Sequence, residues 1–155
     1  MFNIALYQPE IAPNTGNIIR LCANTGCRLH LVHPLGFTPN DTKLKRAGLD
    51  YHDWENVIQH QNFAELVAAI DADRLFAFST KGKKNYSDAV FQANDTLLFG
   101  PETRGLPPEI LEQLPAERIL RLPMMPNNRS LNLSNTVSIV AYEAWRQNGF
   151  AGGVV

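Results

Sequence analysis

Two periods of apolar residues run along this chain. Residues 2–7 (FNIALY) alternate in a β-prone run that ends at Pro9 and Pro13, which break any continuation. Residues 28–32, 74–79, 96–99 and 118–122 read as further strands, those from 74 onward being short apolar runs bounded by polar residues or glycine, as strands buried on both faces require. Val57 and Ile58 mark another short strand. Between them the period changes to that of a helix. Residues 14–25 carry Ile18, Ile19, Leu21 and Cys22, with Asn14 or Thr15 as the expected cap and Gly26 as the stop. Asp41 is placed to cap a short basic helix ending near Gly48, and Asn62 to cap a helix over 63–70 whose buried side is Leu66, Val67 and Ile70. Near the C-terminus, Val137, Val140, Ala141 and Ala144 recur at i, i+3, i+4 and i+7, the buried stripe of a helix, with Ser134 or Asn135 as its expected N-cap.

Strands alternating with helices at this spacing predict an α/β domain with a mostly parallel sheet and helices on its faces. A chain of 155 residues, 45% hydrophobic, can bury one real core and is short for two, so a single domain over 1–155 is expected. In such a sheet ligands gather at the carboxyl ends of the strands, where the loops are free to specialise. Four loops there draw the eye: PEIAPNTGNIIR, STKGKK, GPETRGLPPE and PMMPNNRSLNLSN.

Charge narrows the partners. The formal net charge is −1, so no global field draws in nucleic acid or an anionic membrane, and any RNA binding must use local patches. Two exist: Lys43, Lys45 and Arg46, and Lys81, Lys83 and Lys84. The first residues read as a strand and not a signal peptide, and no run has membrane-spanning length. Cys22 and Cys27 are expected to be reduced thiols in a cytoplasmic protein, and with four scattered histidines they make no zinc pattern, so no metal site is expected.

The loops exclude some chemistry and invite other chemistry. No G-x-G-x-x-G, phosphate-binding P-loop or G-x-S-x-G elbow occurs, which removes support for a Rossmann dinucleotide enzyme, a nucleotide hydrolase or a serine esterase. The GPETRG turn follows a strand directly, and its glycines permit a tight bend whose backbone faces a ligand; as a plain strand-to-helix turn it would simply lead Pro107 and Pro108 into a helix. In RSLNLSN, Ser130, Asn132, Ser134 and Asn135 alternate with Leu131 and Leu133, so hydroxyls and amides can reach a ligand while the leucines bury. Arg20, on the first helix, could hold a phosphate bidentately.

Together NTGNIIR (14–20), FGPETRGLP (99–107) and the stretch from LPM (122–124) to RSLNLSNTVSIVAYEAW (129–145) resemble the three motifs of the SPOUT-class ribose 2′-O-methyltransferases, with LCANTG, AGLDYH and YEAWRQ extending the likeness. The resemblance is closest to the minimal, single-domain tRNA wobble-nucleotide branch, the TrmL/YibK family. It implies a SPOUT fold with a C-terminal trefoil knot, a homodimer that completes the site, S-adenosylmethionine as methyl donor and tRNA as partner, leucine tRNAs foremost. By motif position it places the cofactor against Phe78, Thr80, Gly100, Glu102, Gly105, Leu122, Ser130 and Leu131. Arg20 would be the catalytic arginine, with Asn14, Ser130 and Asn132 positioning it or the ribose. Substrate contacts would come from Arg20, Lys43, Arg46, Lys81, Lys83 and Tyr142. Gln8 and Ala12 depart from the family pattern, which has an acid and a proline there, and this bears on substrate fit. Competing expectations are a SPOUT enzyme acting on rRNA ribose or on a base nitrogen, and an RNA-binding module without catalysis.

Overall fold

The computed structural model describes residues 1–46 and 51–155. Seven strands form one parallel sheet: β1 (Asn3–Tyr7), β2 (Arg28–Val32), β3 (Ile58–His60), β4 (Leu75–Phe78), β5 (Lys84–Asn85), β6 (Thr96–Phe99) and β7 (Ile119–Arg121). Their order is β3-β2-β1-β6-β4-β7-β5. The helices are α1 (Ala12–Thr25), α2 (Thr42–Arg46), α3 (Tyr51–Glu55), α4 (Phe63–Ala69), α5 (Pro108–Leu111) and α6 (Leu133–Gln147).

Strand alternation explains why both sheet faces are covered. Ile4, Leu6, Leu31, Phe76, Phe78, Leu97 and Phe99 point to one face, where they pack with Ile18, Ile19 and Cys22 of α1 and Val137, Val140, Ala141 and Ala144 of α6. Ala5, Val32, Leu75, Ala77 and Leu98 point to the other, against Phe63 and Leu66 of α4 and Ile110 and Leu111 of α5. The strands are therefore apolar on both sides, which is why they read as continuous runs. The chain moves outward from β1 through β2 to β3, then crosses to build the other half from β4 onward. The order thus reverses between β1 and β6.

Several expectations shift in register. Helix α1 begins at Ala12, with Ile11 as a cap that contributes no side-chain bond, so Asn14 and Thr15 lie inside the helix and do not cap it. Pro13 takes a first-turn position, where a missing N–H costs nothing and the fixed φ suits the helix. Gly26 ends the helix in the left-handed region at φ 75°. Helix α6 is capped by Asn132, whose Oδ1 accepts from the Asn135 amide at 3.2 Å, and not by Ser134 or Asn135. The Asp41 carboxylate accepts from the Lys43 amide at 2.8 Å at the head of α2, which ends at Arg46; Gly48 lies outside the described residues. Asn62 caps α4 through the Glu65 amide at 2.9 Å, but of Leu66, Val67 and Ile70 only Leu66 is fully buried. Strand β3 begins one residue later than Val57, and the two-residue β5 has no periodicity to announce it.

Candidate active site

At the carboxyl ends of β4, β6 and β7 the loops leave a crevice, a cavity of about 430 Å³. Residues 78–81 after β4, 99–106 after β6 and, beyond β7, Arg121, Leu122, Met124, residues 130–133 and Thr136 line it, joined by Ile11 and Asn14 from the start of α1. Asn14, Phe78, Thr80, Lys81, Gly100, Glu102, Gly105, Leu122, Ser130, Leu131 and Asn132 all face this one space, although they come from four separate segments.

Local chemistry holds the loops in place. Asn132 Nδ2 donates to Asn14 Oδ1 at 3.0 Å, joining residues 118 apart. The Asn132 Oδ1 is already taken by the Ser134 hydroxyl at 2.6 Å and the Asn135 amide, so the amide group is fixed in one orientation. Asn14 is buried, and its Oδ1 is the acceptor end of the pair. After β6 the chain turns so tightly that a Cβ on Gly100 would collide with the Leu106 amide nitrogen. Gly105 adopts φ 68°, a conformation that favours glycine, and nothing lies within 4 Å of where its Cβ would be.

Glu102 behaves differently from the other lining groups. Its carboxylate accepts from the Glu10 amide at 3.1 Å and from the Ile11 amide at 2.6 Å, so its oxygens are occupied by backbone from the first loop. Burial pushes this carboxyl above the usual range, and the two amides oppose that shift. Glu10 answers from the other side by accepting from the Thr103 amide at 3.0 Å and the Thr103 hydroxyl at 2.7 Å, bonds that hold its carboxyl below the ordinary value.

The walls divide by character. Phe78 and Leu122 are buried apolar surfaces, with Phe78 stacked on Phe99 at 4.8 Å between centroids. Lys81, Arg104 and Arg121 bring positive charge to the rim. Arg104 and Arg121 were not anticipated: one sits in a turn whose glycines drew attention, the other ends a short strand, and neither belongs to a basic run.

Other expected site residues lie elsewhere. Arg20, an exposed residue of α1, does not line the cavity. It follows Asn14 by six positions, about 9 Å along the axis and about 240° around it, so a helix that points Asn14 into the crevice points Arg20 away. Lys43 and Arg46 are exposed on α2, and Lys83 precedes β5. Tyr142 is exposed on α6, edge-on to Trp145 at 5.6 Å. Among the described residues no cluster of His, Cys, Asp and Glu is arranged to hold a metal ion, and no helix is long and apolar enough to cross a membrane.

Residues 1–142 match the SpoU rRNA Methylase family. The chain belongs to that family. Among its relatives is the tRNA (cytidine(34)-2'-O)-methyltransferase of Methylovorus glucosotrophus, 62% identical over 154 residues that cover 99% of this chain and all of the relative. The enzyme of the same name from Escherichia coli K12 is 57% identical over 155 residues, covering 100% of this chain and 99% of its own. A solved structure described as giving insights into the 2-OH methylation of C/U34 on tRNA superposes with a TM-score of 0.88 at 46% identity, covering 97% of each chain. The α/β parallel sheet is thus the SpoU methylase architecture, and the crevice falls where the three motifs of this family member meet.

Proposed function

We propose that this chain is a methyltransferase that uses S-adenosylmethionine to methylate the ribose 2′-hydroxyl of the wobble nucleotide, a cytidine or modified uridine, in the tRNA anticodon loop, with leucine tRNAs as its targets. The observation that carries this reading is the meeting of Asn14, the Gly100 turn and the Ser130–Asn132 segment at one cavity, in a chain similar over its full length to enzymes named for methylation at tRNA position 34. The family is named for rRNA, but the relatives similar to this chain over its full length are named for tRNA, which favours the tRNA substrate.

The residues present fit the donor. A cavity of about 430 Å³ falls in the range of roughly 300–1,000 Å³ typical of small-molecule sites. Phe78 and Leu122 supply apolar walls for a nucleoside base, the Gly100–Gly105 turn supplies backbone groups, and Thr80, Ser130 and Leu131 complete the enclosure. When bound, the donor supplies a methyl group on a positively charged sulfur, already a good electrophile. The protein's task is alignment: the ribose oxygen must lie in line with that methyl, a contribution worth about 7–11 kcal/mol in well-oriented systems.

Asn14 and Asn132, fixed to each other, are placed to orient the ribose. Arg20 stabilises the negative charge that develops on the 2′-oxygen and grips the adjacent phosphate, which takes up the proton; a guanidinium keeps its own protons and so has no free electron pair with which to act as the base. Because Arg20 turns away from the cavity of its own chain, it acts on the cavity of a second copy, so the working unit is a homodimer. Ile139 and Tyr142 on α6, 40% and 45% exposed, give the second copy an apolar face beside the site. Lys43, Arg46, Lys81 and Lys83 hold RNA phosphates, so affinity falls as salt rises. Unstacked bases of the anticodon loop are read individually, which suits an enzyme with no further RNA-binding module in the described residues. The C-terminal segment carrying Ser130 to Asn132 threads the trefoil knot, and the enzyme works in the cytoplasm.

The test pairs Arg20→Ala with Arg20→Lys. Both are expected to lose at least about a hundredfold in turnover, as loss of a group that stabilises developing charge does, while donor binding measured by calorimetry stays near wild type. Mixing Arg20→Ala subunits with Asn132→Ala subunits is expected to restore methylation, because one site of each mixed dimer is intact. Near-normal turnover in either Arg20 variant contradicts its assigned role, and no recovery on mixing contradicts action across the dimer.

A further inference from the structure

The interlocked carboxylates of Glu10 and Glu102 have a geometry that simple loop packing does not require. Each acid leaves its own loop and caps the backbone of the other: Glu102 accepts from the Glu10 and Ile11 amides, and Glu10 accepts from the Thr103 amide and hydroxyl. The partners lie 91 to 93 residues apart. The first loop is braced from behind as well, since the Gly36 amide donates to the Pro9 carbonyl at 2.9 Å and a Cβ on Gly36 would press into the Glu10 backbone. Ile11 is the residue from which α1 starts, so this double cap sits at the root of the helix that carries Asn14 and Arg20.

We propose that Glu10 is a positioning residue: with Glu102 it forms a reciprocal latch that sets helix α1, and with it Asn14 and Arg20, against the turn after β6 that borders the donor cavity. This rests on the functional reading above. Two ties then fix the first turn of α1, the latch to the turn after β6 and the Asn14–Asn132 bond to the head of α6. Together they triangulate the three motif segments. Bonds accepted by a carboxylate are among the stronger hydrogen bonds, and four donors across one joint, three amides and a hydroxyl, leave little freedom for the loops to slide. Glu10 itself need touch neither donor nor ribose. Its effect is transmitted through distance and angle at the reacting atoms, where a displacement of about 1 Å is worth about a hundredfold in rate.

The distinguishing signature is a split between turnover and binding. Glu10→Ala is expected to lower turnover at saturating tRNA and donor by at least tenfold, while the donor Kd and the tRNA KM each stay within threefold of wild type. Glu10→Gln, whose carboxamide oxygen can still accept from Thr103, is expected to recover most of that loss. Thr103→Val, which removes the hydroxyl and keeps the amide, should fall between wild type and Glu10→Ala. Amide hydrogen exchange gives a readout independent of activity: in Glu10→Ala, exchange at Ile11 is expected to accelerate although its own acceptor is Glu102. Turnover within twofold of wild type in Glu10→Ala, no advantage of Glu10→Gln over Glu10→Ala, or unaltered exchange at Ile11 would each overturn the latch. If Glu10→Ala does not fold, Thr103→Val decides, with wild-type turnover counting against the latch and reduced turnover with intact binding supporting it. A wild-type protein that methylates no tRNA would refute the functional reading instead, and the exchange measurement would still judge the latch.

Discussion

The two ends of the same sheet handle polar groups in opposite ways. Away from the cavity, from the amino ends of β1, β4 and β6 across the middle of β2 to the last residue of β3, they close on one another. Asp95, 1% exposed, accepts from Arg74 Nε and Nη2 at 2.8 and 2.7 Å and from the Gln92 amide at 2.7 Å. Asn3 donates to the Asn94 carbonyl at 3.3 Å and to Thr96 Oγ1 at 3.4 Å. Its oxygen faces His30 Nε2 at 3.1 Å, and His30 Nδ1 faces His60 Nε2 at 3.0 Å. Because the Asn3 oxygen can only accept, His30 must carry its proton on Nε2, which makes Nδ1 the acceptor for His60. The ladder is thus fixed in direction across four strands. At the carboxyl ends the same kinds of side chain lock the loops to each other but leave amides, hydroxyls and cations facing a cavity. One end spends its polar groups on the fold, and the other keeps some for a ligand.

This contrast can be broken at either end. Asn132→Ala removes both the α6 cap and the bond to Asn14, so turnover is expected to fall by about a hundredfold, far more than the loss of about 1 kcal/mol that a missing cap costs in stability. A methylation assay beside a denaturation curve separates the two. At the opposite end, Asp95→Ala should reverse the pattern. Breaking a fully buried ion pair costs about 3–5 kcal/mol, and since Arg74 is 30% exposed and can regain water, we expect about 2–3 kcal/mol of lost stability. Turnover per folded molecule should be unchanged; a large loss there would mean the two ends are not separable.

A smaller effect comes from pH. Burial, with His60 and then Arg28 adding to it, pushes the His30 pKa from 6.5 down to about 4. His60 is lowered as well, chiefly by burial. A histidine depressed on folding binds protons more readily when unfolded, so its contribution is complete above about 6.5 and declines as pH falls toward 4. The slope for His30 alone is at most about 1.4 kcal/mol per pH unit across that window. Urea denaturation of wild type and His30→Gln at pH 7 and pH 5 checks this: the wild type should lose stability on acidification, and the variant should lose less.

How far the sequence alone could reach follows the same division. The stripe of Val137, Val140, Ala141 and Ala144 was legible because burial repeats with the helix, and all four are buried. The continuous apolar runs of the strands were legible too, because both faces of each are buried. Caps were harder. Several side chains near 130–135 can cap a helix, and what selects Asn132 is its partner Asn14, a contact 118 residues away that no local pattern carries. Leu131 was expected to bury like Leu133 but is 44% exposed, because it lines the cavity instead of the core. The three motifs were visible as clusters of glycine, asparagine and serine. The angular position of Arg20 relative to Asn14 was computable from helix geometry, yet its consequence emerged only once the cavity had a location. Glu10 and Thr103 gave no local sign at all, since each looks like an ordinary polar loop residue until the loops meet.

The most direct trial of wobble-ribose methylation is to incubate the purified protein with isotopically labelled S-adenosylmethionine and tRNA, then map the label by nucleoside digestion and mass spectrometry. Label is expected on the ribose 2′-oxygen of the wobble nucleotide and is expected to be lost in Asn132→Ala. Label on a base, label only on rRNA, or no transfer while the donor is bound would contradict it.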